Sequence, residues 1–119
     1  MHDRPTLGEL LAAVRAYVLE EVAGVAQDRR TRFRALVAAN VLAIAERELA
    51  SAEGDAVAED EALHALGYAG GGTGERRANL CAEIRAGKFD EAPRFAEAMR
   101  YAKAMVGRKL AVSNPRFRP

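Results

Sequence analysis

An all-α fold, a single small bundle of four main helices and one short one, follows from three observations on this 119-residue sequence. Apolar residues recur at helical spacing along nearly the whole chain, no segment alternates as a strand would, and the composition is rich in alanine. Residues 1–119 fit one domain, with residues 67–74 as a flexible glycine-rich loop and 113–119 as a C-terminal tail. Of the apolar residues 26 are Ala, and Leu, Ile, Val and Phe together add another 26, so core volume is limited and burial against a partner or a second copy would help.

The first helix is predicted from about Leu7 to Val22. Thr6 and Glu9 form a capping-box pair, and Leu7, Leu10, Leu11, Val14, Val18 and Val22 follow at helical spacing. After a polar break at residues 27–31, Phe33, Leu36, Val37, Val41 and Ile44 mark the inward stripe of a second helix reaching Leu49 or Ala50. Residues 51–55 read as a turn, with Asp55 capping a short acidic helix that buries Val57, Ala62, Leu63 and Leu66 and ends at Gly67. Five glycines in the eight residues GYAGGGTG then break regular structure. A helix over 75–86 carries Leu80, Cys81 and Ile84 on one side and stops at Gly87, a left-handed C-cap position. In the last helix Asp90 is placed as the cap, Pro93 falls in the first turn, and Phe95, Met99, Ala102, Val106 and Leu110 form the inward face up to about Val112.

Charge and composition narrow the function classes. Eighteen basic against seventeen acidic residues leave a net charge of +1, and only seven residues are aromatic, so a nucleic-acid-binding face is not expected. A lone cysteine excludes an intrachain disulfide. The N-terminus lacks the pattern of a secretory signal, and the longest apolar stretch, residues 35–45, is interrupted by Asn40. A cytoplasmic protein that does not engage a membrane is the expectation.

No catalytic or metal-binding constellation and no cofactor is expected. The glycine loop lacks the Gly-Lys-Ser/Thr ending of a phosphate-binding loop, so a connector is the better account. His64 lies four residues after Asp60 and three after Glu61, but nothing completes a metal site, and His2 sits in a terminus expected to fray. Cys81 reads as a buried thiol acting as a small hydrophobe.

Two features remain as candidate binding or interface residues. Asn40 and Arg47 project close to the direction of Phe33, Leu36 and Ile44 on the second helix. If buried, Asn40 must find a hydrogen bond, and Arg47 a carboxylate such as Glu21 or the adjacent Glu48. A network fixing helix register is the favoured account; a pocket or interface is the functional one. Arg29, Arg30, Arg32 and Arg34 crowd the start of the same helix, where positive charge opposes the helix dipole, and an anion or acidic protein surface would explain them.

The segments DRPTLGELLAAVRAYVLEEV (3–22), FRALVAANVLAIAEREL (33–49), NLCAEIRAGKFD (79–90) and KLAVSNPRF (109–117) resemble a domain-of-unknown-function family of small bacterial all-helical proteins. The DRPT start, the VAAN segment with Asn40, the EREL segment with Arg47 and Glu48, and the final NP carry the resemblance. It implies a setting beside aminoglycoside-phosphotransferase-like kinases and acyl-CoA dehydrogenases, and an accessory role in acyl-group catabolism, with no catalytic motif to transfer. The resemblance implies no role for the glycine-rich loop or the arginine cluster. The leading expectation is a non-catalytic interaction protein acting with such a kinase or dehydrogenase. The alternative is a module holding a small anion or acyl metabolite in a helical pocket anchored by Asn40 and Arg47. A homodimer is compatible with both.

Overall fold

The computed structural model describes residues 4–117 and is all-α: α1 (Leu7–Tyr17), continued by a π-helical turn (Val18–Ala23), then α2 (Arg29–Ala65), α3 (Thr73–Arg85) and α4 (Arg94–Ser113), with no strand among the described residues. His2 lies outside the described residues. The helices group into two compact units, Met1–Ala52 and Glu53–Pro119.

In the first unit the capping box forms as the sequence predicts. Thr6 Oγ1 accepts the Glu9 amide at 3.2 Å, while Glu9 Oε1 accepts the Thr6 amide at 3.1 Å, satisfying two amide donors at the helix start. After Tyr17 the helix widens, and the Gly24 amide reaches back five residues to the Leu19 carbonyl at 3.0 Å. Gly24 is required there, because a Cβ would lie 2.5 Å from the Glu20 carbonyl oxygen. At the start of α2 the Asp28 carboxylate accepts the Thr31 amide at 2.6 Å and its hydroxyl at 3.1 Å, which holds Asp28 below the usual carboxylate range.

The two helical segments of this unit meet through small side chains. Ala23, Ala35 and Ala39 are buried, Gly8 sits within reach of Leu49, and the half-buried pair Arg15–Glu46 ties α1 to α2 through two contacts, Nε to Oε2 and Nη2 to Oε1. The predicted inward stripe of α2 is corrected by this arrangement. Phe33, Leu36, Val37 and Val41 are exposed, because the helix turns its alanine face, residues 35 and 39, inward instead. On α1 the same holds for Leu7, Leu10 and Val14, while Leu11, Val18 and Val22 are half-buried.

Residues 51–55, expected as a turn, are helical, so the second helix and the short acidic helix are one 37-residue α2. Alanines at 50, 52, 56 and 58 favour the helix, and one exposed glycine at 54 costs only about 1 kcal/mol, less than leaving two sets of helix-end groups unpaired. Asp55 is therefore interior to a helix rather than a cap. The helix does stop at Gly67 (φ 98°): the Tyr68 amide bonds to the Leu63 carbonyl and the Gly67 amide to that of His64, a paired closure that needs the left-handed residue. Gly87 (φ 86°) closes α3 in the same way through Glu83 and Ile84. Asp90 does not cap α4, which begins at Arg94 with Pro93 at its cap position.

The second unit holds the main core: Leu63, Leu80, Phe89 and Tyr101 are buried, with Ala62, Leu66, Tyr68, Ala98 and Met105 packed around them. The guanidinium of Arg94 lies over the Phe89 ring, 4.2 Å from its centroid. Here too the expected face of α4 is displaced. Tyr101, with Ala98 and Met105, points into the core, whereas Phe95, Met99 and Val106 are exposed. Val57 is exposed as well, and Cys81 is half-buried.

Candidate functional site

The residues singled out in the sequence all lie on α2 within the first unit. Arg29, Arg30, Arg32 and Arg34 are exposed on its first turns, Asn40 is exposed, Arg47 is half-buried and Glu48 exposed. At 1.5 Å rise per residue, Arg34 and Arg47 stand roughly 20 Å apart along the helix axis, with Asn40 between them, about 9 Å from Arg34 and about 10 Å from Arg47. Exposure relieves Asn40 of the need for a protein partner. An ion pair between the first two helices uses Arg15 and Glu46, and Glu46 raises the Arg15 guanidinium above its ordinary value.

The second unit contains a polar cluster that sequence reasoning missed. Glu59, 8% exposed, receives two hydrogen bonds from Arg77, Nε to Oε2 at 2.7 Å and Nη2 to Oε1 at 2.5 Å, and a third from the Tyr101 hydroxyl to Oε2 at 2.6 Å. The Arg77 bonds hold the carboxyl down at about 2 against the opposing effect of burial. Burial, then the hydrogen bond to Glu59 and the Glu59 charge, pushes the Tyr101 phenol up to about 12. At the next residue, Asp60 Oδ1 accepts from Thr73 Oγ1 at 2.5 Å and from Arg76 Nη2 at 2.6 Å. The available signal was Glu59 lying four residues before Leu63, on the apolar side of its helix.

Arg77 on α3 and the Tyr101 hydroxyl on α4 both donate to Glu59 on α2, so the cluster ties the three helices together. A carboxylate held at about 2 is ionised and a phenol near 12 protonated at neutral pH; neither is poised for proton transfer there. His64 is exposed, and no group of three or more His, Cys, Asp or Glu is placed to hold a metal ion among the described residues.

A recess in this unit lies along α4, on the side away from Tyr101. It is an open cavity of about 730 Å³ walled by Met99, Val106, Leu110 and Phe117, with Gly107 and Lys103 also lining it. The segment after α4 turns back through an Asn114 carbonyl to Phe117 amide bond of 3.0 Å. Asn40 and Arg47 are not among the lining residues.

These features define an all-α protein whose buried polar cluster is structural and whose large apolar side chains are in good part external. Among the described residues no helix is long and apolar enough to cross a membrane. The chain belongs to the family Domain of unknown function (DUF6285), which it matches over residues 25–117. The match takes in the segments at 33–49, 79–90 and 109–117 that carried the resemblance, and excludes the one at 3–22. No curated protein and no solved structure matches the chain.

Proposed function

We propose that this chain is a non-catalytic interaction protein that docks on a partner protein through the apolar side chains of its first unit. The observation that supports it is the outward placement of large hydrophobes: Phe33 is 66% exposed and Leu7 59%, and Leu10, Val14, Tyr17, Leu36, Val37 and Val41 are exposed with them, while alanines occupy the interior. Single exposed hydrophobes need no explanation, but runs of them on both helices are the composition of an interface. The exposed arginines at 29, 30, 32 and 34 add a reason to expect an acidic rim on the partner, since their position at a helix start weakens α2 rather than strengthening it.

The partner we favour is a phosphotransferase-like kinase or an acyl-CoA dehydrogenase, the bacterial setting that the family resemblance implies, in a cytoplasmic, accessory role without chemistry of its own. Co-expression of the tagged chain with such a neighbour-encoded enzyme, followed by size-exclusion chromatography with light scattering, tests it. A complex of fixed stoichiometry is expected. Phe33→Asp, or Arg30→Glu with Arg34→Glu, should weaken it at least ten-fold with helix content unchanged. No complex with either enzyme class, or a complex indifferent to both variants, would overturn the reading. Self-association lost in Phe33→Asp would replace it with a homodimer.

A further inference from the structure

Independently of the docking reading, we propose that the recess on α4 in the second unit binds an amphiphile with an apolar chain and an anionic head, of the fatty carboxylate class, with Lys103 holding the head and Gly107 giving the chain room. Three observations converge on it. The cavity of about 730 Å³ is within the size range of small-molecule sites, and its walls, Met99, Val106, Leu110 and Phe117, are apolar. Among its lining residues Lys103 is charged and no carboxylate is present, so its charge selects an anion over a cation or a neutral alcohol.

The third observation is Gly107. It stands inside a 20-residue helix, where glycine costs about 1 kcal/mol relative to alanine. No packing demand explains it: its φ is not positive, and a Cβ placed there would meet nothing within 4 Å. A side chain at this lining position would extend into the cavity, so a helix-weakening residue preserves open volume at the recess.

The test is calorimetric titration of the intact chain with decanoate, dodecanoate and tetradecanoate, alongside dodecanol and dodecyltrimethylammonium. Saturable 1:1 binding is expected for the carboxylates, tightening roughly two- to four-fold per added methylene until the groove is filled. The alcohol should bind at least ten-fold more weakly than dodecanoate and the cation more weakly still. Lys103→Glu should remove the preference for the anion. Gly107→Leu should abolish binding while raising the melting temperature, because leucine favours the helix and has space, so loss of binding cannot be loss of fold. Equal affinity for dodecanoate and dodecanol, undiminished binding in Gly107→Leu, or no saturable binding of any carboxylate would each overturn the proposal. Displacement of a second copy, read as a halving of sedimentation mass on adding dodecanoate, would support the site; a dimer that excludes dodecanoate would overturn it.

Discussion

The carboxylate of Glu59 links folding to pH. Its pKa falls from the ordinary 4.5 to about 2 on folding, so its contribution to stability is complete above pH 4.5 and is lost as the pH falls through 2. That shift corresponds to stabilisation on the order of 3 kcal/mol, and urea midpoints should decline across that window in the native chain. In Glu59→Gln this component of the decline should vanish. Tyr101 acts at the other extreme: its raised pKa means stability present below pH 10 and lost as the pH rises through 12. Tyr101→Phe removes one hydrogen bond to a charged acceptor and should cost about 1.5–3 kcal/mol, without creating a cavity. Arg77→Met strands a buried charge and should cost about 3–5 kcal/mol, read by the same denaturation curves at pH 7.

Among the elements, α2 separates what the sequence made legible from what it concealed. Its start at Arg29, fixed by the Asp28 cap, falls inside the expected break at 27–31, whereas its end at Gly67 and its helical character were readable, since left-handed glycines are local chemistry. Its continuity through residues 51–55 was not, because Ser, Gly and Asp together mimic a turn while the surrounding alanines outweigh them. Gly54 lies in open space, so Gly54→Ala should raise stability by about 0.5–1 kcal/mol; a true turn needing that glycine would instead be destabilised. Amide exchange should show residues 51–55 protected like the helix on either side. The faces of α2 and α4 were misassigned for one shared reason. Periodicity identifies the larger apolar stripe, whereas these helices turn inward the stripe that permits close approach (Ala35, Ala39) or satisfies a buried carboxylate (Tyr101).

At the scale of the molecule the two units are unequally equipped. Glu53–Pro119 has its own core and its own polar clamp, whereas the buried side chains of Met1–Ala52 are alanines. A fragment comprising residues 53–119 should therefore give a cooperative thermal transition by far-UV circular dichroism, and one comprising residues 1–52 should not. The candidate site followed the same divide. Arg29 to Arg34, Asn40 and Arg47 could be picked out because charged and polar residues stand out along an apolar stripe. The α4 recess could not, because it depends on a glycine without a local role and on a chain end that folds back, neither of which leaves a periodic trace.

The wide turn at Val18–Ala23 bears on how the chain tolerates change in length. An α-helix that loses one residue rotates everything beyond the loss by about 100°, which would turn the alanine seam of the first unit out of contact. A π-helical turn already holds a surplus residue relative to the α-helical hydrogen-bond spacing, so a one-residue deletion there can be absorbed by tightening the coil. Leu19 and Glu20, both exposed within it, are thus the places where a shortened first helix would keep the positions of Leu11 and Arg15. The same deletion between Leu11 and Arg15 would leave Arg15 in phase with Glu46 and rotate Leu7 to Leu11 by about 100° instead.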